Sequence, residues 1–169
     1  MKSVPWWLDN ITREQFVEVY AGTPAAELVW LFENEPSSDE DYFANYFISK
    51  LFRLNSGTYH IVNKLGKEIG FAMNYAQHVV YAAHLRHPRL IVLKSRQQGI
   101  STLWLLSYID DAVTQDNLTA GLMAQDREAA GTLLERVTVA LEGLPEKVVE
   151  FLGVSVVKNN ESAISFTNG

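Results

Sequence analysis

The chain has 169 residues, 47% of them hydrophobic, which allows a domain with a buried core, and no apolar run reaches the roughly 18 residues of a membrane span. It has no cysteine, which excludes disulfides and thiolate metal sites and favours a cytoplasmic protein. The net charge of −6 hides a basic middle third: residues 51–100 carry seven basic side chains and one acidic, a pattern that suits a polyanionic ligand as well as an ordinary solvated face.

Residues 1–55 are predicted to form a helical N-terminal segment. Thr12 to Gln15 has the pattern of a capping box, and Gly22 is a typical helix end. Thr23-Pro24 and the acidic run 37–41 are start signals for two further helices. The second of these carries an aromatic stripe at helical spacing, predicted to be core or an interaction surface: Tyr42, Phe43, Tyr46, Phe47 and Phe52.

Residues 56–169 are predicted to form a second, α/β domain. It opens with a hairpin of strands 59–62 and 69–73, and Asn74 then caps a helix that ends at His87-Pro88. It closes with two helices, at 127–141 and 146–152, and a hairpin over 154–166.

Two apolar runs in this domain are predicted to be strands of a parallel sheet. Leu90–Leu93 lies between two helices, and residues 119–124 precede the helix that Asp126 caps. Strands that alternate with helices are typical of a parallel sheet.

The stretch Lys94–Thr102 has the layout of a phosphate-binding P-loop between a strand and an apolar helix. The pattern G-x-x-x-x-G-K-[ST] matches at Gly99 and Ser101. Lys94 stands at the first glycine position, and Ile100 stands where the lysine is expected.

A phosphate site in this loop needs a cation from elsewhere. Gly99 lets the backbone approach a phosphate, and Ser101 is placed to ligate Mg²⁺. Lys94 and Arg96 are the candidate cations. The alternative is an ordinary strand-to-helix turn that needs Gly99 only for tight packing.

Gln77 is a candidate for reading a nucleotide base. Its amide can donate to and accept from an adenine edge, and Phe71 or Tyr75 can stack on the base. A surface glutamine on a helix is the plainer interpretation. The four histidines are predicted to be solvated, and Asp110-Asp111 is a poor metal pair because it lies inside a helix.

Together, 71–77 and 90–102 resemble the large terminase subunit of tailed bacteriophages, the ATP-driven motor that packages DNA into procapsids. That family often has a deviant P-loop, K-[AS]-R-Q-x-G-x-[ST]-T, and an upstream glutamine motif for adenine. Residues 121–126 are similar to the family's next strand. The resemblance covers about residues 59–169.

The resemblance implies a P-loop NTPase-type parallel sheet with ATP and Mg²⁺ as cofactors. It assigns Gln77 to adenine, Ser101 to Mg²⁺, and Arg96 or Lys94 to the catalytic phosphate cation. The residues it places on the triphosphate are Lys94, Ser95, Arg96, Gln97, Gln98, Gly99, Ile100, Ser101 and Thr102.

The resemblance also implies partners and a location: double-stranded DNA, the small terminase subunit and the portal or procapsid, in the cytoplasm of a bacterial host that carries the phage or prophage. The family's second strand ending in Asp-Glu and its nuclease domain have no counterpart in this sequence. The expectation is therefore a truncated N-terminal ATPase portion that binds ATP weakly without hydrolysing it and that self-associates through exposed sheet edges. The alternatives are another P-loop translocase or helicase-like ATPase, and a non-catalytic helical interaction module.

Overall fold

The computed structural model describes residues 10–87, 89–95, 97–121, 123–160 and 163–168. The chain divides into two compact units. The first is built from the described residues of Met1–Ser56 and Ala72–Leu103, and the second from those of Gly57–Phe71 and Trp104–Gly169.

The described part of 1–55 is helical, as predicted, but its helices are less regular than the sequence suggests. Helix α1 (Arg13–Tyr20) begins at the predicted capping box, with both reciprocal bonds present. The stretch Pro24–Phe32 is a 3₁₀ helix. The acidic start is also confirmed, with Ser38 capping a single turn that continues through a π-helical turn. The remaining elements are α2 (Asp39–Asp41), the π turn (Tyr42–Tyr46), α3 (Lys50–Arg53) and α4 (Tyr75–Arg86).

The aromatic stripe lies mainly in the core of this unit. Tyr46, Phe47 and Phe52 are buried, and Tyr46 packs edge-on against Trp30 at 5.0 Å between ring centroids. Because edge-to-face pairs at this distance stabilise a core, the stripe is a packing element rather than an open interaction surface.

Buried polar side chains fix the irregular parts of the unit. The Asn55 amide donates to the Leu51 carbonyl at 2.7 Å and accepts from the Met73 N–H at 2.9 Å. Arg53, also buried, donates to the Phe47 carbonyl at 2.7 Å. These bonds satisfy backbone groups that the short, irregular helices leave unpaired.

His78 in α4 is buried, which corrects the prediction that the histidines are solvated. Its Nδ1 lies 2.8 Å from the Tyr20 hydroxyl, and its Nε2 has no hydrogen-bond partner within the described part of the chain. Burial lowers the pKa of His78 to about 4, because the charged imidazolium loses its hydration.

His78 should make the fold sensitive to acid. Since the unfolded chain takes up this proton at its ordinary pKa of 6.5, the free energy of unfolding should fall as pH drops from 6.5 to about 4. The His78 share of that loss is about 3 kcal/mol. Urea denaturation at several pH values should show a shallower pH dependence for His78→Gln. Equal slopes for His78→Gln and the wild type would contradict the assignment.

The second unit contains the two predicted hairpins. Strands β1 (His60–Val62) and β2 (Glu68–Gly70) pair antiparallel with Ile61 opposite Ile69. Helix α5 (Ile100–Thr114) begins in the first unit and continues in the second. The later elements are α6 (Arg127–Glu142), α7 (Glu146–Leu152), β3 (Val156–Asn160) and β4 (Ala163–Phe166), of which the two strands pair antiparallel.

Asp110 on α5 serves the packing of the second unit. Its buried carboxylate accepts a hydrogen bond of 2.7 Å from the Tyr59 hydroxyl. A buried carboxylate needs such a donor, so Asp110 has a structural role in this unit.

A mixed helix-and-strand chain is confirmed, but a parallel sheet is not formed among the described residues. Both sheets there are two-stranded and antiparallel. Residues 90–95 and the described part of 119–124 have no strand pairing. A strand forms only when a neighbour supplies its ladder bonds, and no described segment does so here. Among the described helices, none has both the length and the apolar character needed to cross a membrane.

Candidate phosphate-binding loop

The loop before α5 has an unusual backbone. Gln97 has φ 65° and Gly99 has φ 71°, both in the left-handed region. Left-handed backbone is uncommon for a residue with a side chain. The Gly99 carbonyl then accepts the first bond of α5, from the Leu103 N–H at 3.0 Å. The loop therefore passes directly from alternate left-handed residues into a fifteen-residue helix.

Two side chains of α4 hold this loop. The Gln77 amide nitrogen donates to the Gly99 carbonyl at 2.7 Å, and the Asn74 amide nitrogen donates to the Gln98 carbonyl at 3.3 Å. Asn74 and Gln77 also cap α4 reciprocally, with bonds of 3.0 Å and 2.8 Å to each other's N–H groups. The start of α4 is thus attached to the start of α5.

The predicted triphosphate residues fall into exposed and buried groups. Lys94, Ser95 and Ser101 are exposed, and Thr102 is partly exposed. Ile100, at the position of the usual lysine, is buried at 5% exposure and anchors the helix start. It therefore presents no side chain to a ligand.

The remaining loop residues are two glutamines and one arginine. Gln97 is exposed, and Gln98 donates to the Ser95 hydroxyl at 3.1 Å. Arg96, the other candidate cation, lies outside the described residues.

Gln77 has a structural role that the sequence did not indicate. Its side chain is only 3% exposed, and its oxygen and nitrogen bond to the Asn74 N–H and the Gly99 carbonyl. Adenine recognition by Gln77 stays a prediction. Of its two suggested stacking partners, Phe71 is buried and Tyr75 is exposed.

The basic side chains of the middle third have different structural roles. The Arg86 guanidinium donates to the Val19 and Ala21 carbonyls, and Arg53 is buried on backbone carbonyls as described above. Lys64 and Lys67 flank the turn of the β1–β2 hairpin, in the second unit. Among described cations, only Arg89 and Lys94 lie in the stretch that leads into the loop. The charge count of 51–100 therefore overstates the positive charge at the loop.

Asn74 is the loop contact that sequence reasoning missed. The sequence identifies it as a helix cap, but its second bond, to Gln98, joins residues 24 positions apart. The sequence feature that could have indicated this contact is the Asn-x-x-Gln capping box, which begins the helix upstream of the glycine loop.

Comparison with protein-family models, with curated proteins and with solved structures finds no match to this chain. Within the described ranges, no group of three or more His, Asp or Glu side chains is placed to hold a metal ion.

Proposed function

We propose that Lys94–Thr102 binds the triphosphate of ATP and that the chain is the ATP-binding portion of a DNA-packaging terminase large subunit. The observation that supports this most is the left-handed backbone at Gln97 and Gly99 immediately before α5. Alternation of left- and right-handed residues turns successive N–H groups into an anion-binding concavity. The N-terminus of the helix adds partial positive charge at the same place.

The side chains of the loop fit a magnesium triphosphate. Lys94 is an exposed cation, and Ser101 presents an exposed hydroxyl in the first turn of α5. A hydroxyl at that position is a suitable Mg²⁺ ligand, and a lysine at the loop start neutralises phosphate charge. The reactive phosphoanhydride bond would belong to ATP. Lys94 and Ser101 would bind and orient the triphosphate that contains this bond.

The proposal also includes the partners of a DNA-packaging motor. The motifs at 71–77 and 90–102 support a motor that acts on double-stranded DNA with a small subunit and a portal, in the bacterial cytoplasm. The apolar run 90–93 supports a parallel P-loop sheet, because its side chains alternate in exposure with the period of a strand, from 93% at Ile91 to 37% at Val92.

The rival interaction module has less support. It relied on the aromatic stripe as its working surface, and Tyr46, Phe47 and Phe52 are buried. A helicase-like translocase shares the loop chemistry, and the motif pattern, rather than the loop geometry, favours a terminase.

Titration with a fluorescent ATP analogue, with and without Mg²⁺, tests nucleotide binding. We expect saturable binding that Mg²⁺ strengthens and that Lys94→Ala or Arg96→Ala weakens by about tenfold, the loss of one charge-assisted contact. Lys67→Ala, a change at an exposed lysine of the hairpin turn, is the matched control and should bind as the wild type does. An absence of binding at millimolar analogue, or an equal loss in Lys67→Ala, would count against the proposal.

A further inference from the structure

Two carbonyl groups of the loop accept hydrogen bonds from side chains of α4. The Gly99 carbonyl accepts from both the Gln77 amide at 2.7 Å and the Leu103 N–H at 3.0 Å. The Gln98 carbonyl accepts from the Asn74 amide at 3.3 Å. Both donors come from the start of α4, where their own N–H groups are paired with each other's side chains. We call these two hydrogen bonds, from Asn74 and Gln77 to the loop carbonyls, the latch.

Holding a carbonyl also fixes the N–H group on the other side of the same peptide bond. A trans peptide is planar, so the C=O of one residue and the N–H of the next point in opposite directions, and no described peptide bond is cis. Gln77 therefore sets the direction of the Ile100 N–H, and Asn74 sets that of the Gly99 N–H. Each N–H points away from the side chain that holds its carbonyl.

We infer that Asn74 and Gln77 are positioning residues for the phosphate site, acting through the loop backbone and not through the base of the nucleotide. This inference rests on the proposed function of the loop. The donors that need aiming are backbone N–H groups, since Ile100 has replaced the lysine side chain that usually reaches the phosphates.

The ligand class follows from this arrangement. An anion held by backbone N–H groups is recognised by its phosphates, so the effect of the latch should be the same for ATP, GTP and inorganic tripolyphosphate. A glutamine that reads adenine should instead matter for ATP alone, because the Watson–Crick edge of guanine offers a different pattern of donors and acceptors.

The test compares these three probes on Gln77 variants. Gln77→Glu is the sharper change, because a carboxylate still accepts from the Asn74 N–H but cannot donate to the Gly99 carbonyl. The matched control is Gln15→Ala, since Gln15 occupies the equivalent capping-box position of α1 and bonds the Thr12 N–H at 2.9 Å. Circular dichroism checks that each variant keeps its helices.

We expect Gln77→Glu and Gln77→Ala to bind all three probes about tenfold more weakly, as the loss of one part-buried hydrogen bond predicts. Hydrogen exchange should speed up at the amides of 99–103 in both variants. Gln15→Ala should change neither measurement. Loss of ATP binding alone, or unchanged exchange in the loop, would overturn the inference.

The exchange measurement separates this inference from the proposed function. If the wild type binds none of the three probes, the proposed phosphate site is wrong. In that case, faster exchange in the Gln77 variants would still show that the latch holds the loop backbone. Unchanged exchange would mean that the latch, as well as the phosphate site, is wrong.

Discussion

Replacing Gly99 with alanine is expected to weaken triphosphate binding on the order of a hundredfold. Gly99 has φ 71°, where a side chain is disfavoured by about 1–2 kcal/mol. A Cβ at this position would also lie 2.8 Å from the Gln77 amide nitrogen. Because that nitrogen is bonded to the Gly99 carbonyl, it cannot move away without breaking the latch. The loop would then leave the conformation proposed to bind phosphate, and affinity would fall with the fraction of molecules that keep this conformation.

Gly22→Ala is the control for this prediction. Gly22 has the same φ of 71°, but a Cβ added there would meet nothing within 4 Å. Gly22→Ala therefore has the same unfavourable backbone conformation but no steric clash like the one between the Gly99→Ala side chain and Gln77. Stability should fall in both variants, as chemical denaturation would show, whereas triphosphate binding should fall only in Gly99→Ala. Equal affinity losses in the two variants would mean that general destabilisation, not the loop, explains the result.

A double mutant isolates the contact with Gln77. In a Gln77→Ala background the amide nitrogen is gone, so Gly99→Ala should cost less there than in the wild type. Simple additivity of the two changes would contradict the steric part of the argument.

Local signals in the sequence predicted the starts of helices α1, α4 and α6. Thr12 and Asn74 cap their helices through the short-range bonds that the capping-box pattern specifies. Asp126 likewise accepts from the Ala129 N–H at 2.8 Å, at the predicted start of α6. These interactions join residues three positions apart, so the information they need is contained in a few neighbouring residues.

The same local reasoning failed where distant residues decide the structure. Tyr20 and His78 are 58 positions apart, and their hydrogen bond accompanies the burial of an imidazole that the sequence suggested was solvated. Arg86 looks like an ordinary surface cation in the sequence, yet it donates to the carbonyl of Ala21 at the end of α1. Such roles depend on packing between helices, which hydrophobic periodicity alone does not specify.

The candidate site contains features that the sequence predicted and one that it did not. The glycine, the hydroxyl and the following helix were predictable because they are adjacent in the sequence. The latch was not, because Gln77 and Gly99 are 22 positions apart and a glutamine upstream of a P-loop-like pattern suggests a base reader. The parallel sheet was predicted from apolar runs. An apolar run becomes a strand only when a neighbouring segment supplies hydrogen-bond partners, and the composition of the run does not specify that neighbour.

The first of those runs leads to a prediction about self-association. Ile91 and Leu93 are 93% and 95% exposed, while the intervening Val92 is 37% exposed. This alternation is that of an extended segment with one face uncovered. Extended apolar segments without a ladder partner are sites of intermolecular pairing. We therefore expect the purified chain to self-associate as its concentration rises, as measured by sedimentation velocity.

The double substitution Ile91→Thr with Leu93→Thr should shift the chain toward monomer. Threonine keeps the preference for extended backbone, so the change removes apolar surface without altering local conformation. Each side chain contributes about 1.5–3 kcal/mol when fully buried, so the association constant should fall by about tenfold or more per residue. Leu65→Thr is the matched control, because Leu65 is 90% exposed but its N–H is already bonded to the Asn63 side chain in the hairpin turn. A monomeric wild type at every concentration, or an equal effect from Leu65→Thr, would show that the exposed segment does not drive association.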